Sequence, residues 1–290
     1  MRALLACSGT RAELSRRSQE ARITVGPVGS GPSDGLVLPV QSFVALGDSF
    51  TEGVGDPYPD GTYRGWADRF AAHLASASPG LRYANLAIRG KVLRQVADDQ
   101  VPAAVALAPD LVSIAAGGND LLRPRSDPDA LAAAFDQAVA ALRGAGSQVI
   151  LFTGFDPGGF PVIRLIRGMA AAYNAQLREI AARQQCLHVD LWSMRELLDP
   201  RLWCDDRLHL APDGHRRVAL RACEVAGIPV AEDWRHPLPA DPAGAAPWLT
   251  ARQQDLSWAR TYAAPWLRRR QRGTSSGDDM DPKRPDLLPL

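Results

Sequence analysis

The chain has 290 residues, 33 basic and 32 acidic side chains, a net charge of +1 and 46% hydrophobic content, enough for one large core or for one core with appended segments. Near-neutrality argues against a protein built as a whole to bind nucleic acid or an anionic membrane. No apolar run approaches the roughly 18 residues that would span a bilayer.

Residues 1–41 are expected to form a disordered leader. A small residue precedes Cys7, but the apolar run over residues 3–6 is shorter than the roughly 7–15 residues of an export signal. No hydrophobic stretch follows Arg16 and Arg17 either. Gly26, Pro27, Gly29, Gly31, Pro32 and Gly35 then give a segment with too little apolar surface to fold. The four cysteines, Cys7, Cys186, Cys204 and Cys223, make no C-x-x-C pair. Reduced thiols and a cytoplasmic location are the expectation.

From Phe43 onward strands alternate with helices. The strand candidates are 43–46, 81–87, 110–115, 148–153 and 186–191. Between them run helical stripes with core spacing: Trp66, Phe70 and Leu74; then Leu131, Phe135, Val139 and Leu142; then Ile166, Met169, Tyr173, Leu177 and Ile180. A last helix is predicted from Asp213, read as its opening residue, toward Ala226, with His215 capping or packing it. Five strands separated by helices imply a parallel sheet covered on both faces. One folded domain is therefore expected over 42–228.

Residues 229–290 change character, holding 9 of 23 prolines and 4 of 7 tryptophans (Trp234, Trp248, Trp258 and Trp266). They are expected to form an arm packed on the domain, with a short helix near 254–264 and a loose end from about Gly273. Arg268, Arg269, Arg270 and Arg272 beside Trp266 suggest, as a sharper reading, a weak surface contact with nucleic acid or lipid.

Ligand sites in such sheets gather beyond the carboxyl ends of the strands. Strand one is followed by G-D-S-F-T-E-G (47–53), strand two by N-L-A-I-R-G (85–90), strand three by G-G-N-D (117–120), and strand five, after a connector, by D-R-L-H (206–209). This set fits acyl transfer. A serine hydroxyl needs a base to take its proton, and His209 is the candidate for Ser49. The imidazole in turn needs a partner that fixes its tautomer, which Asp206 supplies from three residues away. An oxyanion needs aimed donors: the Ser49 and Gly90 amides and the Asn119 side chain. Asp48 and Asp120 read as turn organisers. Phe155, Phe160, Ile163, Trp203 and Cys204 are candidates for an acyl pocket or for ordinary packing.

The four co-linear blocks resemble the SGNH hydrolases, the GDSL-type esterases and lipases. Ser49 matches the serine block, Gly90 the glycine block, Asn119 the asparagine block, and Asp206 with His209 the D-x-x-H block. Phe50 departs from the leucine of the family's name-giving motif. The resemblance implies a flavodoxin-like three-layer α/β/α sandwich with a five-stranded parallel sheet. It also implies a serine esterase acting on small-molecule carboxylic esters through an acyl-enzyme, with neither cofactor nor metal. Three other readings compete. An α/β-hydrolase would want glycine where Thr51 stands. A metal phosphoesterase could use Asp48, Asn119, Asp206 and His209 as ligands. A non-catalytic scaffold would bind through the Trp/Arg arm.

Overall fold

The computed structural model describes residues 35–160, 163–240, 256–265, 268 and 275–290. Its centre is β1 (Ser42–Gly47), whose six residues are all buried. Successive side chains point to opposite faces. Phe43 and Ala45 thus join one apolar cluster and Val44 and Leu46 the other. Strands β2 (Arg82–Asn85) and β3 (Leu111–Ala115) flank β1 in parallel, followed outward from β3 by β4 (Gln148–Phe152) and β5 (Leu187–Val189). The sheet order is β5-β4-β3-β1-β2-β6.

Helices cover both faces. After the single-turn α1 (Ser49–Glu52), α2 (Gly65–Ala77) buries Trp66, Phe70 and Leu74 on the Phe43 side. The opposite face is covered first by α3 (Leu93–Gln95), a π turn (Val96–Gln100) and α4 (Val101–Leu107). A short α5 (Gly118–Leu121) follows β3. Then α6 (Pro128–Gly144) and α7 (Arg167–Arg183) bury Phe135, Val139, Leu142, Tyr173, Leu177 and Ile180 on that same face. The last helix, α8 (Pro212–Ala226), returns to the α2 side. The result is the expected three layers.

Three expectations need correction. The sheet has six strands: β6 (Arg284–Pro289) pairs antiparallel with β2, matching Tyr83 to Leu288 and Asn85 to Arg284. Its two prolines and lack of alternation hide it in the sequence, but an edge strand tolerates proline because one of its sides carries no ladder. The chain from Ser275 onward, expected to be loose, is therefore held to the sheet. Arg284 Nε donates to the Tyr83 carbonyl at 2.7 Å, and Lys283 Nζ donates to the Tyr63 and Arg64 carbonyls at 2.9 and 2.8 Å. Finally, Asp213 does not open α8. Ala211 occupies the cap with Pro212 behind it, and Asp213 pairs with Arg216 and Arg217 in the first turn.

Ahead of β1, Leu36 and Val40 are buried in the Phe43-side cluster. Residues 1–34 of the expected leader lie outside the described residues, as do Trp248, Trp266, Arg269, Arg270 and Arg272. Trp234 is buried, donates from Nε1 to Glu224 at 2.6 Å and carries the Arg235 guanidinium 4.1 Å from its ring centroid.

Candidate active site

The carboxyl end of β1 is fixed before any candidate catalytic residue appears. Gln100, buried in the π turn, accepts from the Gly47 amide at 2.8 Å and donates to the Gly47 carbonyl at 2.9 Å. Asp48 then caps α1, its Oδ1 accepting from Phe50 N at 3.1 Å. Ser49 is consequently the first residue of α1, where amides have no partner within the helix. The helix closes at Gly53, whose φ of +99° places it against Gly65 at φ +71°. A Cβ on either glycine would approach the other's Cα within 2.6 Å, so only paired glycines let α2 start this close to the serine turn.

The β2 end is brought alongside by Asn85, which donates to the Thr51 carbonyl at 2.9 Å while its Oδ1 accepts from Ala87 N at 3.1 Å. Beyond it, Ile88 N reaches the Gly47 carbonyl at 3.3 Å. Gly90 follows with φ +77°. From β3, Asn119 Nδ2 donates to Asp48 Oδ2 at 3.1 Å and to the Lys91 carbonyl at 3.0 Å. Its amide thus bridges the chain neighbour of Ser49 and the chain neighbour of Gly90. Asp120 accepts from Leu93 N at 2.9 Å, anchoring α3.

The loop after β5 closes on itself and on this turn. Trp203 pairs with Leu210, and Cys204 N donates to the His209 carbonyl at 2.8 Å. A Cβ on Gly55 would lie 2.2 Å from the Leu210 carbonyl oxygen, so the loop packs directly behind α1. Within it, Asp206 Oδ1 accepts from Leu208 N at 2.9 Å and His209 N at 3.0 Å. Its Oδ2 lies 2.6 Å from His209 Nδ1. Arg207 makes the turn possible by adopting φ +57°.

Electrostatics differ sharply between the two acids. Burial pushes the Asp48 carboxyl up to about 6; the Phe50 amide and a charged His209 pull it down, and Asp120 pushes it further up. Burial also pushes Asp206 up, but the bond to His209, its charge, and the amides of Leu208 and His209 outweigh that and hold it below the usual range. A protonated His209 would lower Asp48 as well as Asp206.

His215, from α8, is a support instead. Fully buried, its Nδ1 accepts from Trp66 N at 3.2 Å and its Nε2 donates to the Val54 carbonyl at 3.1 Å. Phe155, Phe160 and Trp203 pack on one another with centroids 4.4–6.0 Å apart. Phe160, Ile163 and Trp203 are buried. Cys204 points its Sγ at the Gly55 and Leu210 carbonyls. Burial pushes Cys186 and Cys204 up to about 11 and Cys223 to about 12, so none is a poised nucleophile.

Two supports escaped the sequence. Gln100 carries no motif, and its role depends on a π turn that periodicity does not mark. Glu52 is buried, accepts from Arg89 N at 2.7 Å and pairs with the Arg89 guanidinium, which lies over Tyr63. Its only signal is adjacency to the G-D-S turn. Among the described residues, no three of His, Cys, Asp and Glu gather as a group that could hold a metal ion.

A family model described as the GDSL-like lipase/acylhydrolase family matches residues 45–217. No curated protein matches the chain. Among solved structures, Axe2, an acetylxylan esterase from Geobacillus stearothermophilus, aligns with a TM-score of 0.55 at 22% identity, covering 67% of this chain and 95% of its own. LAE5, an α/β hydrolase enzyme from the metagenome of Lake Arreo in Spain, aligns with a TM-score of 0.55 at 23% identity, covering 65% and 95%. Three further Axe2 structures are of catalytic mutants, altered at a serine, an aspartate and a histidine three residues beyond that aspartate.

Proposed function

Because the chain belongs to the GDSL-like lipase/acylhydrolase family and is an ester hydrolase, we propose that it works as a serine esterase through an acyl-enzyme, with Ser49, His209 and Asp206 as the triad. The observation that carries this reading is the 2.6 Å contact from Asp206 Oδ2 to His209 Nδ1, on a loop packed behind the serine turn. That contact fixes the tautomer in which Nδ1 holds the proton and Nε2 presents its lone pair. Asp206 below its usual range stays ionised opposite the imidazolium.

In this mechanism the Ser49 oxygen attacks the ester carbonyl carbon while its proton passes to His209 Nε2. The negative charge developing on the carbonyl oxygen is met by the Ser49 and Gly90 amides and the Asn119 side chain. For Asn119 this means exchanging its contact with Asp48 for one with the oxyanion. The tetrahedral species collapses, the ester C–O bond breaks, and the Nε2 proton goes to the leaving alcohol. Water then enters with His209 as base again, releasing the carboxylic acid and restoring Ser49.

Axe2 is an acetylxylan esterase, and its altered aspartate and histidine share the three-residue spacing of Asp206 and His209. This favours a short acyl group as the first substrate to try. No helix among the described residues is long and apolar enough to cross a membrane, and the cysteine usage supports a cytoplasmic setting.

A fluorophosphonate probe with peptide mass mapping tests the mechanism. Label on the Ser49 peptide, together with loss of ester hydrolysis in Ser49→Ala, is expected. Hydrolysis that survives Ser49→Ala overturns it. A series of p-nitrophenyl esters from acetate to palmitate then reads the acyl preference.

A further inference from the structure

The triad leaves the C-terminal arm without a role, yet described residues of the arm touch the reacting centre at two places. The first is Trp258. It is 9% exposed and donates from Nε1 to the main-chain oxygen of Asp206 at 2.8 Å. The guanidinium of Arg207 lies 5.5 Å from its ring centroid, within cation–π range. Arg207 is the residue held at φ +57°, a conformation that costs a non-glycine residue energy and persists only when its surroundings enforce it. That twist aims the Leu208 and His209 amides at Asp206 Oδ1. Trp258 therefore grips the strained residue by its side chain and by the carbonyl just before it.

The second place is Gly90. A Cβ there would fall 1.9 Å from Ser275 Oγ, and a Cβ on Gly277 would fall 2.0 Å from the Arg89 carbonyl oxygen. Arm and glycine turn are thus in backbone contact. Lys283 and β6 fix the arm on this side, and Lys283 Nζ also pairs with Asp68 at 2.8 Å.

We propose that the C-terminal arm belongs to the reacting centre, with Trp258 as a positioning residue that holds the Asp206–His209 turn in its working geometry. The proposal rests on the esterase reading above. Trp258 touches no reacting atom; it acts through Asp206 and Arg207. Loss of its N–H frees the Asp206 carbonyl and loosens the turn, so the Asp206–His209 contact weakens and the imidazolium is less stabilised. Among the described residues, the ionisable groups that act on His209 are Asp206 on its own loop, Asp48 on the serine turn and His215 on α8, and a change at Trp258 alters the charge of none of them.

The test compares Trp258→Phe, which keeps an aromatic face and removes the N–H, with Trp258→Ala and with Trp234→Phe. Trp234 is an arm tryptophan bonded to Glu224 on α8 and makes no hydrogen bond to the Asp206–His209 turn. With p-nitrophenyl acetate, Trp258→Phe is expected to lower kcat roughly fivefold to tenfold, the range of one lost hydrogen bond, with KM within about twofold. The acid limb of the kcat profile should move to lower pH, which a merely structural role would not produce. Ser49 should still label fully with fluorophosphonate, and Trp234→Phe should match the wild type. If Trp258→Phe keeps wild-type kcat and an unmoved acid limb while Ser49→Ala is dead, the inference fails and the esterase reading stands. If Ser49→Ala retains activity, the esterase reading fails and takes the inference with it.

Discussion

Asn119 donates its side-chain amide to Asp48, the residue immediately before Ser49, at 3.1 Å. The donor proposed for the oxyanion is thereby held, until a substrate carbonyl takes it over, by the carboxylate that caps the serine's own helix. Asn119→Ala is expected to lower kcat by roughly 10²–10³ with a small change in KM, the usual effect of removing one oxyanion donor. Asp48→Ala should lose less, along with about 1 kcal/mol of stability from the missing cap. The double variant should be slower than Asn119→Ala by less than the factor that Asp48→Ala costs alone, because Asp48 acts on the rate partly through Asn119; a kcat double-mutant cycle measures this coupling.

Asp206→Asn puts an amide where a carboxylate now meets His209 Nδ1. The amide N–H would favour the tautomer with its proton on Nε2, the wrong nitrogen for a base. A fall of about 10⁴ in kcat is expected, with folding preserved, as for the acid of other serine triads. Steady-state kinetics alongside circular dichroism would separate the two effects.

Gly90→Ala must place a side chain where φ is +77° and where Ser275 Oγ would lie 1.9 Å away. The left-handed conformation alone costs roughly 1–2 kcal/mol. The clash should push the arm from the glycine turn, lowering both Tm and kcat. Ser275→Gly in the same chain should restore part of each, because it removes the clash and leaves the backbone strain. Identical Tm and kcat in the single and double variants would contradict the contact.

Folding stability should depend on pH through two buried groups of opposite sign. Burial lowers His215 from 6.5 to about 4, so the unfolded chain binds the extra proton and stability falls as pH drops through this window. Burial raises Asp48 to about 6, so the folded chain binds the extra proton and stability falls as pH rises from 3.8 toward 6. The two nearly compensate, with His188, also shifted down by burial, adding to the His215 side. His215→Asn removes one partner. Urea unfolding from pH 4 to 6.5 should show the wild type gaining about 3 kcal/mol relative to this variant as pH rises.

The proposed catalytic blocks were legible because each lies beyond the carboxyl end of a strand, three of them directly and one after a connector, and strand ends collect ligands. The tight turns were marked by Gly47, Gly53, Gly90 and Gly117, and the D-x-x-H spacing by itself allowed Asp206 to reach His209. What stayed hidden depends on partners chosen across long separations. Gln100 clamps Gly47 from 53 positions away, and Trp258 reaches Asp206 from 52. A glutamine in an irregular helix or a tryptophan in a proline-rich arm has no local pattern that names its partner. The same holds for β6, whose sequence R-P-D-L-L-P has neither alternation nor a turn signal.

The pairing of Arg284 with Tyr83 joins positions 201 residues apart, and β6 lies at the edge of the sheet with most of its residues exposed. Its hydrogen bonds are therefore among those that open first by local fluctuation, well below the free energy of global unfolding. Because this strand also anchors Ser275 and Gly277 over the Gly90 turn, each such opening detaches the arm there. Heat should then silence the enzyme reversibly several degrees before its near-ultraviolet dichroism melts. Amide exchange should find the Leu288 N–H group, paired opposite Tyr83, far less protected than those of Val44 and Ile114.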